Sequence, residues 1–189
     1  MKYRDSGMPE ETYWESLFDV PLILERLGID GRITAAVELG CGHGTFTLPV
    51  ARRIAGDLHT VDIDAEMVRR TKERLADAGV PNVFVAERDV TIDGFGVPDG
   101  TQDACLLFNI LHGEEPVLLL ERARATLKPG GRAYVIHWRY DPTTPRGPSM
   151  EIRPKPSQCL AWAEAARFHL ESDAIIDLPP YHWGMVLRA

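Results

Sequence analysis

Apolar residues along this chain recur with two different periods, and each switch between them marks an element boundary. Over residues 9–27, Trp14, Leu17, Phe18 and Leu22 fall at helical spacing while Glu10, Glu11 and Glu15 stay outside. That pattern predicts an amphipathic helix, which Pro21 kinks or splits. From residue 35 the pattern becomes one of short buried runs separated by helical stretches. The runs predict strands at 35–39, 58–62, 83–86, 104–108 and 132–137. Between them, helices are expected at 46–54, at 66–78 with Gly79 closing the end, and at 115–127 with Lys128-Pro129-Gly130-Gly131 as the stop. A proline-rich stretch at 141–156 reads as an inserted loop, and a helix follows at about 158–168. Two last runs, 174–176 and 184–187, are joined by Leu178-Pro179-Pro180-Tyr181, too short for a crossover helix, so they are expected as antiparallel neighbours.

Strands alternating with helices predict an α/β fold, a doubly wound, mostly parallel sheet of seven strands with an antiparallel C-terminal hairpin. The expectation is one domain over residues 1–189, with residues 1–30 as an N-terminal lid helix and 141–156 as the insertion. In such sheets ligands lie beyond the carboxyl ends of the strands, so the residues just past each strand are the candidates for chemistry.

Three of those positions stand out. Glu38-Leu39-Gly40-Cys41-Gly42-His43-Gly44 follows the first strand and precedes a helix, where glycine permits a tight turn and lets a ligand lie on bare backbone. Asp62 ends the second strand, at the distance from the glycines expected of an acid that accepts from ribose hydroxyls. Asp64 competes for that role but suits a helix N-cap better, and Ile63 between them can pack on an adenine face. Past the third strand, Asp89 can accept from an adenine amino group with Val90 behind the ring; the alternative is a plain turn aspartate. A nicotinamide loop wants G-x-G-x-x-G, and the last position of that pattern counted from Gly40 is Thr45.

Bulk properties narrow the classes. A formal charge of −7 and a pI near 5.4 remove the general attraction for a phosphate backbone, so no nucleic-acid partner is expected. The three cysteines, Cys41, Cys105 and Cys159, have neither disulfide nor metal-pair spacing, and no metal is expected; Cys159 reads as the one plausibly free thiol. The N-terminal stretch is polar and no run is long and apolar enough for a bilayer, so a cytoplasmic location without membrane contact is the default.

Read together, these motifs resemble the class I S-adenosylmethionine-dependent methyltransferase family. Val37 to Gly44 is similar to that family's first motif, Val61-Asp62-Ile63-Asp64 to its second, and Asp89-Val90 to its adenine-contact motif. Gly100-Thr101-Gln102-Asp103-Ala104 resembles the entry to the fourth strand, and Leu127-Lys128-Pro129-Gly130-Gly131 the turn before the fifth. The resemblance implies S-adenosylmethionine as cofactor, its methionine part against the backbone of Gly40, Cys41 and Gly42. It also implies Glu38 near the amino group or an ordered water, Asp62 on the ribose, Ile63 and Val90 around adenine, Asp89 on the adenine amino group and Asn109 near the sulfonium. His43 departs from the family, which more often has a small residue there.

Methyl transfer from a sulfonium needs the acceptor positioned and water excluded, and a base only where the nucleophile arrives protonated. His112, His137 and Tyr140, at the ends of strands four and five, are the candidates for that role or for the acceptor wall; packing is the competing explanation for each. Tyr13 and Trp14 are candidates to close over the cofactor, and Arg146 and Arg153 to meet an anionic acceptor. The partner expected is a small-molecule acceptor of undetermined identity, and the oligomeric state is undetermined. Alternatives are an NAD(P)-dependent oxidoreductase on a related fold and a non-catalytic binding module.

Overall fold

The computed structural model describes residues 8–170 and 174–189. Five parallel strands, β1 (Ala35–Leu39), β2 (Asp57–Asp62), β3 (Val83–Glu87), β4 (Gln102–Phe108) and β5 (Leu127–Trp138), are followed by the hairpin β6 (Ile175–Leu178) and β7 (His182–Arg188). They form one sheet in the order β3-β2-β1-β4-β5-β7-β6, with β7 antiparallel to both neighbours. The chain leaves β1 toward β2 on one side, and β4 returns to β1's other side, which makes the β1/β4 junction the switch point.

The strand period of two divides the core. Val37, Cys105, Leu107, Val135 and Met185 face α6 (Pro116–Thr126) and α7 (Pro156–Ala165), while Ala36, Leu106, Tyr134 and Ile136 face α2 (Val20–Leu27) and α3 (Thr47–Arg53). Asp103 ties three elements at the opposite end of the sheet. Its carboxylate accepts from the backbone N–H groups of Thr34 (2.9 Å) and Ala35 (3.0 Å) and from Lys128 Nζ (2.6 Å).

The N-terminal helical region does divide, but not at Pro21. The break falls between α1 (Glu11–Glu15) and α2, where Asp19 caps the second helix by accepting from Leu22 N, and Pro21 sits in the first turn, where its missing N–H costs nothing. The 128–131 turn is drawn into the start of β5, which pairs with β4 through a register shift. A single-turn helix, α5 (Val90–Asp93), follows β3 and was not foreseen. The helix α4 (Ala65–Asp77) begins, as expected, on Asp64, whose side chain accepts from Glu66 N. The expected strand residue Ala174 lies just outside β6, and the 1–30 lid is described only from Met8 onward. No helix among the described residues is long and apolar enough to cross a membrane.

Candidate functional site

The glycine turn is fixed from behind by β2 and α4. Gly40 N–H donates to the Val61 carbonyl (2.7 Å), Gly42 N–H to Asp62 Oδ2 (2.9 Å), and Thr71 Oγ1 to the Gly42 carbonyl (2.9 Å). Gly40, Gly42 and Gly44 all have positive φ, a region that other L-residues rarely occupy. A Cβ at Gly40 would meet no atom within 4 Å, so the backbone there stands open to a cleft.

That cleft is lined by Gly40, Asp62, Ile63, Asp89, Val90 and Ile110, among others. It brings together residues from the ends of β1, β2 and β3 and from the loop after β4. Asp62 is buried; besides Gly42 it accepts from Asp64 N (3.0 Å), and burial raises its pKa against the pull of those N–H groups. Asp89 caps α5, accepting from Thr91 N (2.9 Å) and Thr91 Oγ1 (2.6 Å), while Arg122 of α6 donates to the Val90 carbonyl (2.6 Å). Both carboxylates are therefore held rigidly, with apolar Ile63 and Val90 beside them. Asn109 is a non-glycine residue at φ 57°, its N–H bonded to the Ile136 carbonyl (2.8 Å); a strained backbone at a strand end is a common sign of a functional position.

Glu38 lies on the other side of β1, fully enclosed, and its Oε2 accepts from Thr47 Oγ1 (2.6 Å) and Thr60 Oγ1 (2.8 Å). Burial pushes its pKa up to about 7, against the two hydroxyls and helped by the nearby Asp62 charge. Cys41 is buried, and desolvation first and Asp62 second raise its thiol well above the ordinary range, which keeps it un-ionised.

The N-terminal segment lies across this turn. A Cβ at Gly42 would come within 3.1 Å of Met8 Cε, and His43 Nε2 is 2.9 Å from the Pro9 carbonyl. Helix α1 is fastened to α4: Glu11 pairs with Arg70 (2.7 Å) and Arg74 (3.2 Å), and Glu15 also pairs with Arg74. His43 thus serves as an anchor for the strap. Tyr13 is exposed, and its hydroxyl is 3.5 Å from the Pro145 carbonyl, while Trp14 packs on Phe18 and Trp138, away from the glycine turn.

The strand-four and strand-five candidates divide by depth. His112 lines a second cavity and Tyr140 stands at its edge, whereas His137 is fully enclosed behind His112, ring centroids 5.6 Å apart. Two expectations are corrected. Cys159 is a free thiol but not an accessible one, because it is buried in the α7 core with no exposed surface. Arg153 is not an exposed anion ligand. It is buried, and its guanidinium donates to the carbonyls of Arg139, Asp141, Arg146 and Pro148 and to Thr144 Oγ1, so it gathers the proline-rich stretch around itself. Sequence reasoning missed Ile110 in the cleft and Trp162 in the second cavity; the position of Ile110 beside Asn109 was the available signal for the first.

A family model described as "Methyltransferase domain" matches residues 36–131, a little over half of the chain. A curated relative, an uncharacterized 37.1 kDa protein in transposon TN4556 of Streptomyces fradiae, is 31% identical over 62% of this chain. The chain spans about a third (34%) of that relative's length. The solved structure of an S-adenosylmethionine-dependent methyltransferase from Aquifex aeolicus superposes with a TM-score of 0.82 at 22% identity, covering 95% of this chain and 93% of that one. The (4+2)-cyclase SpnF shares the fold at a TM-score of 0.68 and 24% identity, covering 92% of this chain and 62% of its own.

Proposed function

The chain belongs to the methyltransferase-domain family, whose cofactor is S-adenosylmethionine, and on that premise we propose that it transfers the cofactor's methyl group to a small-molecule acceptor by in-line displacement. The observation that supports this reading best is the single cleft in which bare glycine backbone, two fixed carboxylates and two apolar side chains meet. Those residues fit the cofactor. The open backbone at Gly40, continued through Cys41 and Gly42, suits the methionine part, while Glu38 lies enclosed behind the turn, bonded to Thr47 and Thr60. Asp62 suits the ribose, Ile63 and Val90 the adenine faces, Asp89 the adenine amino group, and Asn109 the region near the reacting carbon.

When bound, the cofactor supplies an activated methyl group. The chain's own work is to hold the cofactor, orient the acceptor and exclude water. The strap from Met8 to Glu15 covers the glycine turn and suits the last of these tasks. His112 and Tyr140, with His137 behind, border the acceptor side.

Titration calorimetry with S-adenosylhomocysteine tests the reading. Micromolar binding is expected, and Asp62→Ala should weaken it by about 10- to 100-fold, the loss of a charged hydrogen-bond partner of ~1.5–3 kcal/mol. An intact protein that binds none of it would refute the proposal.

A further inference from the structure

The loop after β4 contributes to two cavities: Ile110 lines the cofactor cleft, and Leu111, His112 and Glu114 line a second one of about 780 Å³. We infer that this second cavity takes a planar aromatic acceptor bearing an ionisable hydroxyl, and that His112 receives the hydroxyl proton as the oxygen is methylated. The inference rests on the proposed methyl transfer and names its acceptor class.

The walls set the shape. Two aromatic rings, Tyr140 and Trp162, and apolar Pro116, Pro154, Met150 and Ile152 stand among polar groups in the lining, a mixture that suits an aromatic ring carrying a polar substituent. A volume of this size falls in the range of small-molecule sites.

The polar groups set the chemistry. His112 Nδ1 is buried with no hydrogen-bond partner among the described residues. Behind it His137 is fully enclosed, its ring edge-on at 79°. An acceptor hydroxyl entering the cavity meets the His112 ring, a polar contact that a purely apolar molecule could not use. Burial also holds His112 down at about 4, so near neutrality the ring is uncharged and has a lone pair to offer. At the rim, Lys155 Nζ sits 4.8 Å from the Tyr140 ring centre and favours negative charge developing on an acceptor oxygen. Glu114 and Glu151 border the same cavity and would favour a cationic amine instead, so amines are the competing class.

The step balances. The acceptor's O–H bond breaks, its proton goes to a ring nitrogen of His112, and the electron pair stays on oxygen. That oxygen forms the new O–C bond while the pair of the breaking S–C bond returns to sulfur as a neutral thioether. One positive charge disappears at sulfur and one appears on the imidazole, so the net charge of the site is unchanged. Compensation of this kind lets a buried neutral histidine accept a proton that it would refuse in isolation.

The test uses the full chain and begins without cofactor. Calorimetry and tryptophan fluorescence should detect 2-naphthol, with phenylethylamine and thiophenol at least tenfold weaker, and Trp162→Ala should weaken 2-naphthol by about tenfold. With labelled cofactor, His112→Gln should bind 2-naphthol within threefold of the parent yet methylate it about 100-fold more slowly. 4-Nitrophenol, largely ionised at mildly alkaline pH, needs no proton acceptor, so the same variant should methylate it within tenfold of the parent. His112→Asn repeats the comparison should the Gln variant melt early. Equal losses for both phenols, or binding and methylation of the amine or thiol in place of 2-naphthol, would overturn the inference. S-adenosylhomocysteine binding on the same preparations separates the two failures: if it is present while 2-naphthol does not bind, only this inference fails.

Discussion

Glu38 gives the sharpest quantitative test of the site, because its environment favours the protonated acid. The carboxyl is enclosed between β1, α3 and β2, and desolvation outweighs the two threonine hydroxyls that favour the charged form. Its pKa near 7 lies above the ordinary 4.5 it would regain on unfolding. A carboxyl raised in this way stabilises the fold fully below 4.5, and the contribution is lost as pH rises through 7. At about 1.4 kcal/mol per decade of proton affinity the whole effect is on the order of 3 kcal/mol, of which ~2.5 kcal/mol is lost between pH 5 and 8. For a domain of this size that corresponds to roughly 5–10 °C in melting temperature. Glu38→Gln keeps the acceptor oxygen for Thr47 and Thr60 and removes the ionisation. The assay is a pair of thermal melts of the ligand-free protein at pH 5 and pH 8. The variant should match the parent at the lower pH and melt several degrees higher at the upper one. Asp62, also raised by burial, is present in both proteins, so its contribution largely cancels in the comparison. Parallel pH dependence in the two proteins would show that Glu38 is ionised in the fold, and the reasoning would fail.

Two further outcomes follow from the segments flanking the site. Arg153→Met should strip the proline-rich stretch of its central donor, with local opening capping the loss at ~2–4 kcal/mol; early protease cleavage within 141–152 and a lower melting temperature would report it, and an unchanged digest would contradict the clamp. Glu11→Ala removes the strap's contacts with Arg70 and Arg74, partly exposed pairs that add little to global stability, so S-adenosylhomocysteine should dissociate a few-fold faster in stopped-flow measurements while the melting point hardly moves.

The cleft beside the glycine turn was legible because each of its parts is local. A glycine turn, a strand-end acid and its apolar neighbour announce themselves within a few residues, and only the parallel sheet is needed to bring Gly40, Asp62 and Asp89 into one cleft. The second cavity was not legible, since His112, Tyr140 and Trp162 come from three elements whose meeting depends on how residues 141–156 fold. That folding turns on Arg153. An arginine among prolines reads as solvated, and nothing nearby in sequence shows that it will be enclosed by carbonyls. The break at Asp19 was misplaced for a related reason: proline is disruptive inside a helix and favourable in its first turn, and only the cap tells which applies.

The strand order carries a consequence for how the protein is made. β7 is the last strand in the chain, yet it sits inside the sheet, between β5 and β6, with Met185 and Leu187 fully enclosed. Forty-three residues separate the end of β5 from the start of β7. At about 5–20 residues per second a ribosome needs roughly 2–9 seconds to make them. Throughout that interval the apolar edge of β5 has no neighbour to pair with, which is the condition under which strands find each other between molecules. During synthesis, then, the hazard lies in the wait between β5 and β7, when the cofactor half of the sheet is already complete in sequence and its other edge is still open.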